Sequence, residues 1–160
     1  MRRKNQEVTD KSIIEEILTK SDFCRIAIND NEYPYLVPLN YGYRDNTLYF
    51  HSAAIGKKVD LIKKNNKVGF EIEYSAKTIP HEQPAKWSTK YLSMIGYGEV
   101  EIITDGIEKK KGLDIIMSHY SDSINNEYED SQVNNLVILK LKITGLTVKR
   151  SSNWNDLSVC

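Results

Sequence analysis

Three apolar segments separated by short polar turns constrain the fold of this chain more than any other feature. They span residues 23–28, 34–43 and 47–51, and the turns at 29–32 and 44–46 consist of Asn, Asp, Glu and Arg residues. Connections this short join antiparallel neighbours, because parallel strands need a crossover of a dozen or more residues. The pattern therefore predicts an antiparallel meander at the start of a sheet.

The remainder of the chain continues as strands with a few helices between them. Apolar periodicity predicts a first helix that Asp10 or Ser12 would cap and that ends at Ser21-Asp22, and further helices at 57–64 and 107–120. Further strands are predicted at 67–74, 91–103 and 136–143, with an extension to 148 left open. The polar stretch 75–90 predicts a long loop. Because a barrel removes exposed sheet edges, the six strands predict a mainly β domain over residues 1–160, a small antiparallel β-barrel with helical insertions.

Composition narrows the classes of function. The chain has 22 Lys+Arg and 22 Asp+Glu residues, and this zero net charge argues against general nucleic-acid binding. No apolar run is long enough to cross a bilayer, and the charged residues 1–4 lead into polar ones, so we expect a cytoplasmic protein without a membrane partner. Cys24 and Cys160 lack metal-ligand spacing, and we expect no metal site.

The segment 48–60 (LYFHSAAIGKKVD) has the features of a phosphate site. A strand passes through small residues to Gly56, Lys57 and Lys58, where a helix is predicted to begin. Glycine lets the backbone approach an anion, helix N-termini present free N–H groups, and two ammonium groups supply opposite charge. A plain strand-to-helix turn with solvated lysines is the alternative. His51, at the strand end, is the best acid/base candidate, although an ordinary strand-end histidine would look the same.

The aromatic segment 33–43 is a second candidate for ligand binding. Pro38 cannot donate to a strand ladder, so its strand is expected to be edge-like, bulged or interrupted. Backbone groups freed there suit a planar heterocycle with donors and acceptors on its rim; a strand with an edge proline is the alternative. We find no nucleophile elbow, carboxylate pair or dinucleotide fingerprint, so any chemistry is expected to belong to a bound anionic cofactor.

Several of these segments, taken in order, carry a resemblance to a known family. The segments are YLVPLNY at 35–41, LYFHSA at 48–53, GKK at 56–58 and YLSMIGYG at 91–98, with MRRK at the start and Asn153-Trp154 near the end. They resemble the nitroimidazole-resistance proteins, which belong to the pyridoxamine 5'-phosphate oxidase-like flavin-binding split barrels.

The resemblance implies a homodimer of six-stranded antiparallel split barrels with two FMN sites in the dimer interface. Ser93 would reach the flavin from the other subunit, and Trp154 would be an aromatic residue near it. Two further groups of residues would hold FMN: Val37, Pro38, Leu39 and Asn40 along the ring, and His51, Ser52, Lys57 and Lys58 around the ribityl chain and phosphate.

The resemblance favours an FMN-dependent oxidoreductase. NAD(P)H would supply electrons, His51 would lie near the reactive face, and a small planar acceptor such as a nitroimidazole or another nitroaromatic would be reduced. Only Lys149 and Arg150 are basic near the C-terminus, which argues against pyridoxamine phosphate as substrate. The alternatives are a non-catalytic flavin- or haem-binding split barrel and a structural dimer module with no ligand.

Overall fold

The computed structural model describes residues 4–121 and 127–151. Within these residues, eight strands and four α-helices follow one another: β1 (Glu7–Val8), α1 (Lys11–Lys20), β2 (Cys24–Ile28), β3 (Tyr35–Leu39), β4 (Gly42–Arg44), β5 (Thr47–Ala53), α2 (Lys57–Lys64), β6 (Lys67–Ile79), β7 (Ser88–Ile103), α3 (Gly106–Tyr120), α4 (Asp130–Asn134) and β8 (Leu136–Arg150).

All eight strands belong to one antiparallel sheet, in the order β3-β2-β6-β7-β8-β5-β4, and β1 pairs with β8. The two end strands, β3 and β4, are not paired with each other in the described part of the chain, so the sheet is not closed. This confirms the mainly β split-barrel prediction. The strand count is eight rather than six, because the two-residue β1 has no periodicity to detect and the predicted strand 34–43 divides in two.

The division of that strand overturns the predicted meander. The chain leaves the ladder at Asn40 and Tyr41, so β3 pairs with β2 while β4 pairs with β5 at the far end of the sheet. Tyr41 causes the break: its side chain is fully buried, and its hydroxyl donates to the Leu18 carbonyl at 3.0 Å. Burying this ring below the end of α1 is incompatible with continuing a flat strand.

The core lies inside the curved sheet and is formed by the inward-facing residues of its strands. Alternation is clear in β2 and β7, where buried residues take every second position, as a period of two requires. Helix α1 closes one side. Its N-cap is Asp10, whose carboxylate accepts from the Ser12 amide at 2.8 Å, rather than the alternative candidate Ser12. The largest fully buried side chains include Tyr41, Phe50, Ile17, Leu18, Ile26 and Met94.

The long loop predicted over residues 75–90 is wrong. Strands β6 and β7 continue pairing up to Ile79 and Ser88, which leaves only residues 80–87 as the connection. The paired ends of β6 (75–79) and β7 (88–91) form a two-stranded arm that is exposed or half-buried throughout. Neither face of the arm therefore shows the apolar alternation by which a strand is recognised. At its tip the Trp87 indole N–H donates to the His81 carbonyl at 2.7 Å, which fixes the turn.

Among the described helices, none has the length and apolar character needed to traverse a bilayer.

Candidate functional site

The corner between β5 and α2 is formed by the end of β5, where side chains alternate between the two faces of the sheet, and by Gly56, which precedes the helix. In β5, Ser52 is buried and His51 is exposed, as expected for neighbours on opposite faces of a strand. The chain then reaches Gly56, whose φ of 128° favours glycine because a Cβ would be strained there. Helix α2 begins at Lys57, and Gly56, its N-cap, has no side chain with which to bond the first amides of the helix. The N-terminal N–H groups of α2 can therefore serve an anion.

The two lysines at this corner have different surroundings. The Lys57 ammonium lies 2.7 Å from the Asp30 carboxylate and 4.9 Å from the centre of the Tyr35 ring. Lys58 is half-buried, and within residues 4–121 and 127–151 it has no ion-pair partner. Partial loss of water around its ammonium lowers the pKa of Lys58. Lys57 therefore ties α2 to the β2–β3 turn, and Lys58 is the cation left to meet an anion.

His51 is electrostatically coupled to this cation. Partial desolvation, and secondly the positive charge of Lys58, lower the pKa of the His51 imidazole below its ordinary value. The ring is therefore neutral at neutral pH, when it can act as a hydrogen-bond donor on one nitrogen and an acceptor on the other. The structure thus brings His51 and Lys58 together at one corner, with Lys57 beside them, whereas Ser52 is buried on the opposite face of β5.

Strand β3 carries the next group of predicted site residues and lies at the edge of the sheet. Pro38 is exposed there, which confirms the expectation that its strand is edge-like. Val37 and Leu39 alternate with it and are half-buried. The contacts of Lys57 with Asp30 and Tyr35 join the start of β3 to α2. The residues predicted to bind the ring, on β3, and those predicted to bind the phosphate, at the start of α2, therefore lie on neighbouring secondary-structure elements.

Asn40, the last predicted residue of this group, belongs to a hydrogen-bond network that sequence reasoning missed. Its amide nitrogen donates to the Tyr120 hydroxyl at 3.3 Å, and the Tyr41 backbone N–H donates to the same oxygen at 2.9 Å. Tyr120 stands at the C-terminal end of α3, eighty residues away in sequence. Nothing in the helical pattern distinguishes it from any other tyrosine, and only the tertiary structure reveals the contact.

Ser93 lies far from His51 within the same chain. It is on the outer face of β7, opposite Lys149 of β8, whereas His51 is opposite Ile138 near the other end of β8. Their partners on β8, Lys149 and Ile138, are eleven residues apart, which at about 3.3 Å per residue is on the order of 35 Å of extended strand. Within one chain, Ser93 therefore does not lie beside His51. Trp154 lies outside the described residues.

Other reactive side chains in the described regions are engaged structurally or are inert. Burial raises the pKa of the Cys24 thiol, which keeps it protonated and unreactive. The His119 Nε2 atom lies 2.8 Å from the Ser21 carbonyl oxygen, and the His81 Nδ1 atom accepts a hydrogen bond from the backbone N–H of Gln83 at 3.0 Å. His, Cys, Asp and Glu side chains in these regions form no group of three or more suited to a metal ion.

Comparison with known proteins places these observations in a family context. The family described as pyridoxamine 5'-phosphate oxidase matches residues 10–150. A solved structure of a candidate 5-nitroimidazole antibiotic resistance protein from Bacteroides thetaiotaomicron is 36% identical, with a TM-score of 0.79, over 89% of this chain and 85% of that one.

Two further similarities are more distant or shorter. The FAD and haem binding protein from Mycobacterium smegmatis shares the fold, with a TM-score of 0.83 over 94% of this chain and 76% of that one, at 15% identity. An uncharacterised protein of Rhizobium meliloti is 34% identical over 56 residues, which is 35% of this chain and 36% of that relative's length.

Proposed function

Because the chain belongs to the pyridoxamine 5'-phosphate oxidase family, we propose that it is an FMN-binding oxidoreductase. It takes electrons from NAD(P)H and passes them to a small planar acceptor, with a nitroimidazole or a related nitroaromatic as the favoured class. The observation that carries this proposal is the half-buried Lys58, which lacks an ion-pair partner among the described residues and lies beside His51 at the open start of α2.

The residues at this corner fit the phosphate end of FMN. A half-buried ammonium without a carboxylate is electrostatically unfavourable unless an anion compensates it, and a phosphate supplies that charge. The free backbone N–H groups in the first turn of α2 would add hydrogen-bond donors to the same phosphate. Lys58 would hold the phosphate, and His51 would lie along the ribityl chain and extend towards the reactive face, while Ser52 stays on the buried side of β5. Lys57 would lie beside this contact, with its charge already balanced by Asp30.

The edge strand β3 fits the ring. Val37 and Leu39 offer apolar contacts, and the exposed Pro38 and Asn40 leave an unpaired strand edge beside them. When bound there, FMN would supply the two-electron chemistry between donor and acceptor. The chain's own contribution would be to orient the ring, to exclude water and to present the neutral His51 imidazole, which can hold or release a proton at a ring nitrogen.

The outer face of the sheet supports the proposed homodimer. Leu36, Ile95 and Tyr97 lie on this face and are 65%, 64% and 62% exposed. In the strand register, Tyr97 is opposite Gly69 and Gly145, and Leu36 is opposite Ala27. The exposed apolar side chains therefore project from the sheet beside residues with small or no side chains. Exposed apolar patches of this kind mark interaction sites, and a second copy of the same face would cover this one.

Ser93 connects the dimer to the site. It lies on the outer face of β7, two residues from Ile95, and would therefore stand at the edge of the proposed interface. Since Ser93 is far from His51 along the strands of its own chain, it would approach a flavin held at His51 and Lys58 across that interface. The complete site would then need residues of two copies, so dimerisation and FMN binding would be coupled.

Anaerobic redox cycling tests the proposed activity. NADPH or NADH, added without oxygen to the FMN-loaded protein, is expected to bleach the flavin absorbance, and a nitroimidazole is expected to restore it. Bleaching by neither nicotinamide would contradict the assigned donor. Flavin colour that no donor and acceptor pair can cycle would favour the non-catalytic flavin-binding alternative, and a Soret band would favour haem.

A further inference from the structure

We propose that Tyr120 is a positioning residue that turns the side-chain carbonyl oxygen of Asn40 outward, where it accepts a hydrogen bond from the imide N–H of the FMN ring. This inference rests on the proposed FMN site, and it adds a residue of α3 that does not touch the ring. It also states that Asn40 acts as a hydrogen-bond acceptor towards the ring.

The Tyr120 hydroxyl has three partners within hydrogen-bond distance. The Asp22 carbonyl oxygen lies 2.8 Å away, the Tyr41 backbone nitrogen 2.9 Å and the Asn40 amide nitrogen 3.3 Å. A phenol hydroxyl has one proton to donate and can accept two hydrogen bonds. The three partners therefore use its full capacity.

The chemistry of these partners determines which way the Asn40 amide points. The Asp22 carbonyl can only accept, so it takes the Tyr120 proton, and the Tyr41 backbone N–H can only donate. The Tyr120 oxygen has no second proton to offer, and the Asn40 atom that faces it must therefore be the NH₂ group. The Asn40 carbonyl oxygen is consequently turned away from Tyr120, and the residue is exposed.

Tyr120 is itself held in place by its neighbours on α3 and at the split between β3 and β4. The preceding residue, His119, contacts the Ser21 carbonyl at 2.8 Å and packs 4.5 Å from the centre of the buried Tyr41 ring. The Tyr41 hydroxyl donates to the Leu18 carbonyl. The position of the Tyr120 oxygen is thus fixed from two sides, so the Asn40 amide is oriented before any ligand arrives.

An outward carbonyl oxygen selects a ligand edge that presents an N–H group. The pyrimidine edge of the isoalloxazine ring has one N–H, at N3, between two carbonyl groups. An Asn40 amide in the opposite orientation would place its NH₂ group against that N–H, two donors facing each other. Fixing the amide therefore favours the flavin ring over heterocycles that present only acceptors at the same position.

The test compares the affinities of FMN and N3-methyl-FMN, which lacks this N–H. In the wild-type protein FMN should bind more tightly. Tyr120→Phe should reduce the ratio of the two affinities by about three- to tenfold, the value of one neutral hydrogen bond. Tyr128→Phe is the matched control, because it removes a hydroxyl that bonds Asp114 on the same helix at 3.0 Å, and it should leave the ratio unchanged.

Asn40→Asp supplies the rescue. A carboxylate accepts in either orientation, so Asn40→Asp combined with Tyr120→Phe should recover the preference for FMN. A ratio in Tyr120→Phe equal to that of the wild type would overturn the inference, since a purely steric effect of the methyl group, or a purely structural role of Tyr120, would leave it unmoved.

Two further outcomes separate this inference from the function on which it rests. If Tyr120→Phe does not fold, Asn40→Ala should lower the ratio and Asn40→Asp should preserve it; equal ratios in both would overturn the inference. Tight FMN binding with no preference over N3-methyl-FMN would overturn the inference alone. Failure of the wild-type protein to bind either flavin would overturn the proposed function and this inference with it.

Discussion

Ile95→Glu is expected to convert the protein from a dimer to a monomer and to abolish FMN binding at the same time. Ile95 is 64% exposed at the centre of the outer face, beside the Arg25–Glu71 ion pair, where the nitrogen and oxygen atoms lie 2.9 Å apart. In a twofold dimer the new carboxylate would be buried in each copy beside Glu71, whose own carboxylate already pairs with Arg25. An unpaired buried charge costs several kcal/mol, so the dimer dissociation constant should rise by at least about 100-fold.

Sedimentation velocity and FMN titration of the same samples measure the two effects. Ile107→Glu is the matched control, because Ile107 is 70% exposed on α3, a helix that packs mainly against β4, β5 and β8, whereas Ile95 lies on β7. This variant should remain dimeric and bind FMN normally. A dimer of unchanged strength in Ile95→Glu would contradict the proposed interface, and a monomer that still binds FMN tightly would contradict the shared site.

Lys58→Ala is expected to weaken FMN binding by roughly 10- to 150-fold, which corresponds to about 1.5–3 kcal/mol for a charge-assisted contact to phosphate. The effect should be specific to the phosphate. Riboflavin, which lacks it, should therefore bind the wild type and the variant with similar affinity. Isothermal titration with both ligands measures the difference.

Lys57→Ala controls for the loss of a lysine at the same corner. Lys57 already pairs with Asp30 and is exposed, so its removal should weaken FMN binding less than the loss of Lys58. If the two variants bind FMN equally well, or if Lys58→Ala binds it as tightly as the wild type, the phosphate assignment is wrong.

The pH dependence of binding follows from the pKa of Lys58. Desolvation lowers that pKa in the free protein, so the site loses its positive charge earlier on the alkaline side than an ordinary lysine would. Affinity for FMN should therefore fall as pH rises through this lowered pKa. In Lys58→Arg the guanidinium stays charged, so the alkaline loss of affinity should shrink.

The sequence was sufficient for the mainly β fold class and the family, and much less so for the number of strands and their connections. Helix α2 over 57–64 was predicted with its observed bounds, because Gly56, the apolar spacing and Asn65 all mark it. The break at Asn40 and Tyr41 was not located, because the sequence indicated an irregularity at Pro38, which in the structure stays in register opposite Arg25. What divides the segment 34–43 is the burial of Tyr41 against α1, a tertiary contact that local propensity does not contain.

The arm formed by β6 and β7 was missed for the opposite reason. A strand is recognised from its sequence by one buried face, and residues 76–78 are exposed in an arm that only its own two strands hold together. The corresponding apolar alternation is therefore missing, although the backbone pairing continues from Ser75 to Ile79.

The candidate site shows the same limit. The residue types at 56–58 predicted an anion site, but the difference between Lys57 and Lys58 depends on Asp30, which lies in a turn distant in sequence. Tyr120 could not be associated with Asn40 at all before the ends of α3 and β3 were known to meet. Sequence patterns identify the type of side chain that a site needs. Tertiary contacts decide which residue of that type, here Lys58 and not Lys57, is free to bind a ligand.

The visible absorption spectrum of the purified protein, recorded after incubation with FMN and removal of free ligand, tests the central claim most directly. We expect a flavin spectrum, with one FMN released per subunit on denaturation, and its loss in Lys58→Ala. A protein that remains colourless after this treatment, or that shows a Soret band instead of flavin absorption, would contradict the account.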